Sequence, residues 1–111
     1  MVSRDPVMQS GEWKRMQKRW RAKRMTYCWL CQGTRGPIRY DVKYPHPLGF
    51  SLDHVMPRSW YAHLSPEAYR AAILDETNVR PAHLTCNVAR KDDAPPAHTL
   101  RPNPGKVWGS Q

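Results

Sequence analysis

Cys28 and Cys31 stand two residues apart, a spacing that lets both thiolates reach one ion from a single tight turn, each sulfur about 2.3 Å from the metal. His83 and Cys86 repeat the pattern as His-x-x-Cys much later in the chain. They best supply the other half of a tetrahedral zinc site, with His63 or His46 as substitute imidazoles. That arrangement uses all 3 cysteines and leaves no coordination position for water, so the zinc would be structural and its binding energy would add to folding. A thioredoxin-like reading of the first pair needs a βαβ pattern, which the chain lacks.

A second group of residues suits hydrolysis. Asp53 and His54 are adjacent at the end of an alternating stretch, where neighbouring side chains project to opposite faces. One can hold a hard cation through its carboxylate while the other serves as a base near pH 7. Asn87 directly follows Cys86, so a helix fixed by zinc would bring its amide oxygen to the same cation. Phosphodiester cleavage needs an activated water and a metal that stabilises charge on the phosphate and the departing oxygen. Arg58, Arg90 and Lys91 are near in sequence and would neutralise phosphates.

These groups need elements to hold them. Residues 11–24 read as a helix, because Trp13, Met16 and Trp20 fall at i, i+3 and i+7 as a narrow apolar stripe amid cations. The stripe is expected to pack on the domain, leaving the cationic face free. Residues 38–44 and 50–55 alternate apolar and polar, with Pro45, Pro47 and Gly49 between them, which predicts a β-hairpin over residues 38–55. Ser65 and Pro66 mark a helix start as N-cap and first helical residue, and Tyr69, Ala72 and Ile73 give that helix an apolar face through about Leu74. Residues 75–82 read as a connecting loop. A last helix starts near Thr85 and carries Cys86, Asn87, Arg90 and Lys91. The expected organisation is a basic helical extension at 1–24, one domain at 25–93, and a proline-rich, extended or disordered tail at 94–111.

Composition agrees. With 111 residues the chain has room for one small domain, and 11 prolines and a mean hydropathy of -0.79 leave a thin core that favours a metal staple. No window approaches a membrane span, and residues 1–24 carry charge where a secretory signal would be apolar, so a soluble, cytoplasmic protein with no membrane partner is expected. Lys and Arg number 18 against 9 acids, a net charge of +9 that points to nucleic acid. Residues 1–24 supply +6 of it, and Lys14, Arg15, Lys18 and Arg19 of the helix are candidate phosphate contacts.

The stretches Leu52-Asp53-His54-Val55-Met56-Pro57-Arg58-Ser59 and Asn78 through Lys91 resemble the two halves of the HNH nuclease motif. With Cys28 and Cys31 upstream, the match spans residues 28–91 and resembles the zinc-containing branch of that family. The resemblance implies a small α+β protein with a ββα-metal (His-Me finger) fold, a hairpin and a helix clasping one divalent cation. His54 would be the general base. Asp53 and Asn87 would hold magnesium or manganese, and Asn78 would brace the loop after the histidine. Asn87 stands where many relatives have histidine, and His83 replaces the cysteine that usually opens the second knuckle. The implied activity is metal-dependent nicking or cutting of DNA, leaving a 5′-phosphate and a 3′-hydroxyl with little sequence preference. The size resembles HNH proteins of tailed phages, which points to a terminase large subunit as partner and a bacterial host cell as location; homing and restriction roles stay open. From another class, a non-catalytic zinc knuckle that binds nucleic acid by charge would explain the cysteines and the charge but not the nuclease spacing.

Overall fold

The first helix begins where Ser10 turns its hydroxyl onto the Trp13 N–H at 3.2 Å, satisfying one of the donors a helix start leaves open. This helix, α1 (Gly11–Ala22), buries Trp13, Met16 and Trp20, as the spacing of the stripe predicts. Each such side chain contributes roughly 2 kcal/mol of burial. The computed structural model describes residues 5–91 and 93–95. Residues 1–4 and all of the predicted tail except Ala94 and Pro95 lie outside the described residues.

After α1 the chain forms the cysteine knuckle, closed by Gly33 at φ 86°, a backbone region that L side chains rarely adopt. Strand β1 (Phe50–His54) follows, then a short 3-10 turn at Arg58–Tyr61. Helix α2 (Pro66–Ile73) is capped by Ser65, whose hydroxyl accepts the Ala68 N–H at 3.2 Å. Another 3-10 turn at Glu76–Asn78 leads into strand β2 (Val79–His83) and helix α3 (Leu84–Arg90). Among the described residues, the molecule is thus a small α+β protein with three helices and a two-stranded antiparallel sheet. No helix among them is long and apolar enough to cross a membrane.

The sheet corrects the expected hairpin. β1 pairs not with residues 38–44 but with β2, Asp53 opposite Arg80 and His54 opposite Val79. Residues 38–44 reach β1 through one bridge, Arg39 to Gly49, and residues 79–82, expected as loop, are strand. Pro81 is compatible with β2 because of register. The Val55 N–H donates to the Asn78 carbonyl at 2.8 Å and the Leu84 N–H to the Gly49 carbonyl at 2.9 Å, so Leu52 opposite Pro81 is a non-hydrogen-bonded pair. Proline's missing donor costs nothing there. The Pro81 carbonyl points outward and accepts the Trp29 N–H at 3.2 Å, which attaches the knuckle to the sheet edge.

The core lies on both faces of this sheet. Phe50, Leu52 and His54 face α1, so that α1 runs alongside β1 with Trp13 against His54 and Arg21 over Phe50. Ion pairs of Glu12 with Arg70 and of Arg19 with Glu76 tie α1 to α2 and to the turn before β2.

Candidate metal centre and active site

Helix α3 starts on loop carbonyls: the Leu84 and Thr85 N–H groups donate to Gly49 and Pro47, both at 2.9 Å. That start sets His83 and Cys86 opposite the knuckle. The ligand atoms of Cys28, Cys31, His83 and Cys86 all lie within 4.8 Å of one another. The His83 Nδ1 is 3.5 Å from the Cys31 sulfur and 3.7 Å from the Cys86 sulfur. Its Nε2 lies 3.2 Å from the Pro37 carbonyl, an acceptor that places the proton on Nε2 and turns the Nδ1 lone pair toward the sulfurs. The residues therefore fit a tetrahedral zinc ion, and neither His46 nor His63 enters the group.

Electrostatics point the same way. Burial opposes ionisation of Cys31, yet the N–H groups of Arg35 and Gly33, with Cys28 and Thr34, bring its thiol down to about 6. Burial and the nearby Cys28 and Cys31 push Cys86 up to about 12. Three thiolates this close coexist only around a cation.

On the α3 face of β1, the Asp53 carboxylate is buried and takes the Trp29 indole N–H at 3.0 Å and the Arg90 guanidinium at 2.8 Å on the same oxygen, Oδ2. Burial raises its pKa, while Arg90 and Trp29 oppose the rise. Arg90 also donates to the carbonyls of His54, Val55 and Asp93. With its side chain only 5% exposed, Arg90, which its place in the sequence makes a candidate phosphate contact, braces the end of β1. Asn87, one helical turn earlier, donates its amide Nδ2 to the Ser51 hydroxyl at 2.6 Å, which fixes which way its Oδ1 points.

On the α1 face, His54 stacks against Trp13 with ring centroids 5.0 Å apart and planes 17° from parallel. Its Nε2 is 2.9 Å from the Ile73 carbonyl at the end of α2, so the proton sits on Nε2 and Nδ1 is the basic nitrogen. Burial lowers its pKa from 6.5 to about 4, keeping the ring neutral at pH 7. Asn78 braces the segment after it: its Oδ1 accepts the Met56 N–H at 3.0 Å and its Nδ2 donates to the Met56 carbonyl at 3.3 Å.

Asp53, His54 and Asn87 line one cavity of about 120 Å³ together with Met8, Leu52, Pro57, Arg58 and Lys91. Arg58 also pairs with Asp5 at 3.1 Å. Of the helix cations expected to meet phosphate, Arg19 is engaged by Glu76, whereas Lys14, Arg15 and Lys18 are exposed. Sequence reasoning missed Trp13 and the Ile73 and Pro37 carbonyls as partners of the two histidines. Carbonyl partners leave no trace in residue type. Arg90 was within reach, since three residues from Asn87 on a helix is the same face.

No family model, curated protein or solved structure matches the chain.

Proposed function

We propose that the chain is a metal-dependent endonuclease of HNH type that nicks or cuts DNA, built on a zinc-held ββα-metal unit of β1, β2 and α3. The observation that carries this reading is the convergence of Asp53, His54 and Asn87 on one cavity beside the Cys28, Cys31, His83 and Cys86 cluster. A carboxylate and an amide oxygen are hard donors suited to magnesium or manganese. Asp53 has Oδ2 committed to Trp29 and Arg90, so Oδ1 is its oxygen for a cation, alongside the Asn87 Oδ1. When bound, that cation would stabilise charge on the phosphate and on the departing oxygen.

The protein's own residues supply the rest. Neutral His54, aimed by Ile73 and held flat by Trp13, takes a proton from water at Nδ1. Arg58 and Lys91 at the cavity rim draw the phosphate in. Arg90 opposes the burial that raises the Asp53 pKa, and it bonds the carboxylate on the same oxygen as Trp29.

A second reading, a non-catalytic zinc module that binds nucleic acid, is favoured by the depth of His54, which is 5% exposed, and by the pairing of Asp53 with Arg90. Supercoiled plasmid separates the two. Conversion to open circles that needs magnesium or manganese and stops on adding chelator supports the nuclease. Salt-sensitive binding with no conversion supports the module.

A further inference from the structure

The cations of α1 and of the two residues after it do not all meet an acid. Arg19 meets Glu76, and Arg70 of α2 answers Glu12. Lys18, Arg21, Lys23 and Arg24 turn the other way, and among the described residues no carboxylate forms an ion pair with any of them.

Three of these cations surround one hollow. Lys18, Arg21, Ala22, Arg24 and Tyr40 line a cavity of about 220 Å³. The Arg21 guanidinium lies 5.0 Å from the centroid of the Phe50 ring, and that of Arg24 lies 5.6 Å from the Tyr40 ring. Arg24 holds this place from a left-handed backbone at φ 52°, just past the helix end, where glycine is favoured. Tyr40 is fixed in turn, since its hydroxyl donates to the Met25 carbonyl at 2.6 Å. The nearby acid Asp41 is taken by Arg39. The guanidinium carbons thus sit over ring faces, and among the described residues no acid lines the hollow.

We propose that Lys18, Arg21 and Arg24, seated on Tyr40 and Phe50, form a binding site for a backbone phosphodiester of nucleic acid, separate from the cleavage cavity. The proposal rests on the nucleic-acid reading of the chain and adds where the strand is gripped. The site adjoins Phe50 at the start of β1, and the cleavage cavity adjoins His54 at its end. Four residues of strand rise separate them, about 13 Å. The stretch of α1 from Trp13 to Arg21 covers about 12 Å on the same path.

The test uses the full, zinc-loaded chain and a fluorescent 20-base-pair duplex, with anisotropy read across a salt series. The double variant Arg21→Gln/Arg24→Gln is expected to bind about tenfold more weakly and to lose about one from the salt slope, as one phosphate contact is lost. The double variant Arg21→Lys/Arg24→Lys keeps the charge and should keep the slope. Arg19→Gln, whose partner is Glu76, should change affinity less than twofold. Equal duplex affinity for the wild type and the Gln double variant overturns the proposal. So does a loss in Arg19→Gln as large as in that variant, or saturation by inorganic phosphate that leaves duplex affinity unchanged. Plasmid cleavage by the wild type separates the two readings: duplex binding that depends on Arg21 and Arg24 in a wild type that does not nick plasmid keeps this site and removes only the nuclease.

Discussion

Asp53 and His54 are neighbours in sequence, yet the two faces of β1 give them opposite surroundings. Asp53 points to a polar, charge-compensated face where Trp29, Arg90 and the start of α3 meet the metal cluster. His54 points to an aromatic face, covered by Trp13 and closed by a single carbonyl. Burial raises the pKa of the acid and lowers that of the histidine; the acid is bonded to the Arg90 guanidinium, whereas the histidine feels the Asp5 charge through space. One strand thereby sets a carboxylate bonded to a guanidinium beside an imidazole kept neutral by burial. The first face adjoins a cluster that could hold a metal ion, and the second rests on apolar packing.

The largest effect should come from the face beside that cluster. Cys86→Ser, or prolonged chelation of the wild type, is expected to abolish cooperative thermal unfolding, because structural zinc contributes as much as the whole stability of a small domain. A metal-free protein that melts cooperatively would show that apolar packing carries both faces. On the other face, Trp13→Ala removes a side chain only 3% exposed and should cost about 4 kcal/mol in denaturant unfolding, with zinc content unchanged. Loss of zinc in that variant would mean that the faces are not separable.

Arg90→Met sharpens the contrast between compensated and uncompensated burial. It leaves Asp53 without its guanidinium, at a cost of about 3 kcal/mol, and Asp53→Asn in the same chain should recover part of that loss. The smallest effect is set by pH at the edge of the aromatic face. Burial works to raise the pKa of Asp5, but bonds from Tyr69, Val7 and Arg58 outweigh it and hold the carboxyl below 3.8. The stabilisation is present above the unfolded value and disappears as pH falls through the folded one. The melting gap between wild type and Asp5→Asn should thus narrow from pH 5 toward pH 2; a constant gap would show that Asp5 is not ionically engaged.

Helices were legible because their signals are local. Ser10 was not read as an N-cap, and the last helix starts at Leu84 rather than near Thr85, while Trp13, Met16 and Trp20, Ser65-Pro66, and the spacing of His83 and Cys86 predicted packing or position that the structure shows. Strand pairing was not legible. β2 is buried along its whole length, so Val79-Arg80-Pro81-Ala82-His83 carries no alternation, and Pro81 reads as loop until register excuses it. Residues 38–44 alternate for another reason: Ile38 is buried and Tyr40 packs on Phe50, while Arg39 and Asp41 pair with each other. The cluster of Cys28, Cys31, His83 and Cys86 could be read from spacing, whereas the carbonyls that Arg90 spans belong to segments that only the fold brings together.

The most direct measurement is nicking of supercoiled plasmid in magnesium or manganese by wild type, Asp53→Ala, His54→Ala and Asn87→Ala, each matched for zinc content and circular dichroism. Nicking by the wild type, with each substitution reducing it by about a hundredfold or more, is the predicted result. Nicking at the wild-type rate by zinc-replete His54→Ala, or none by the wild type, would contradict the account.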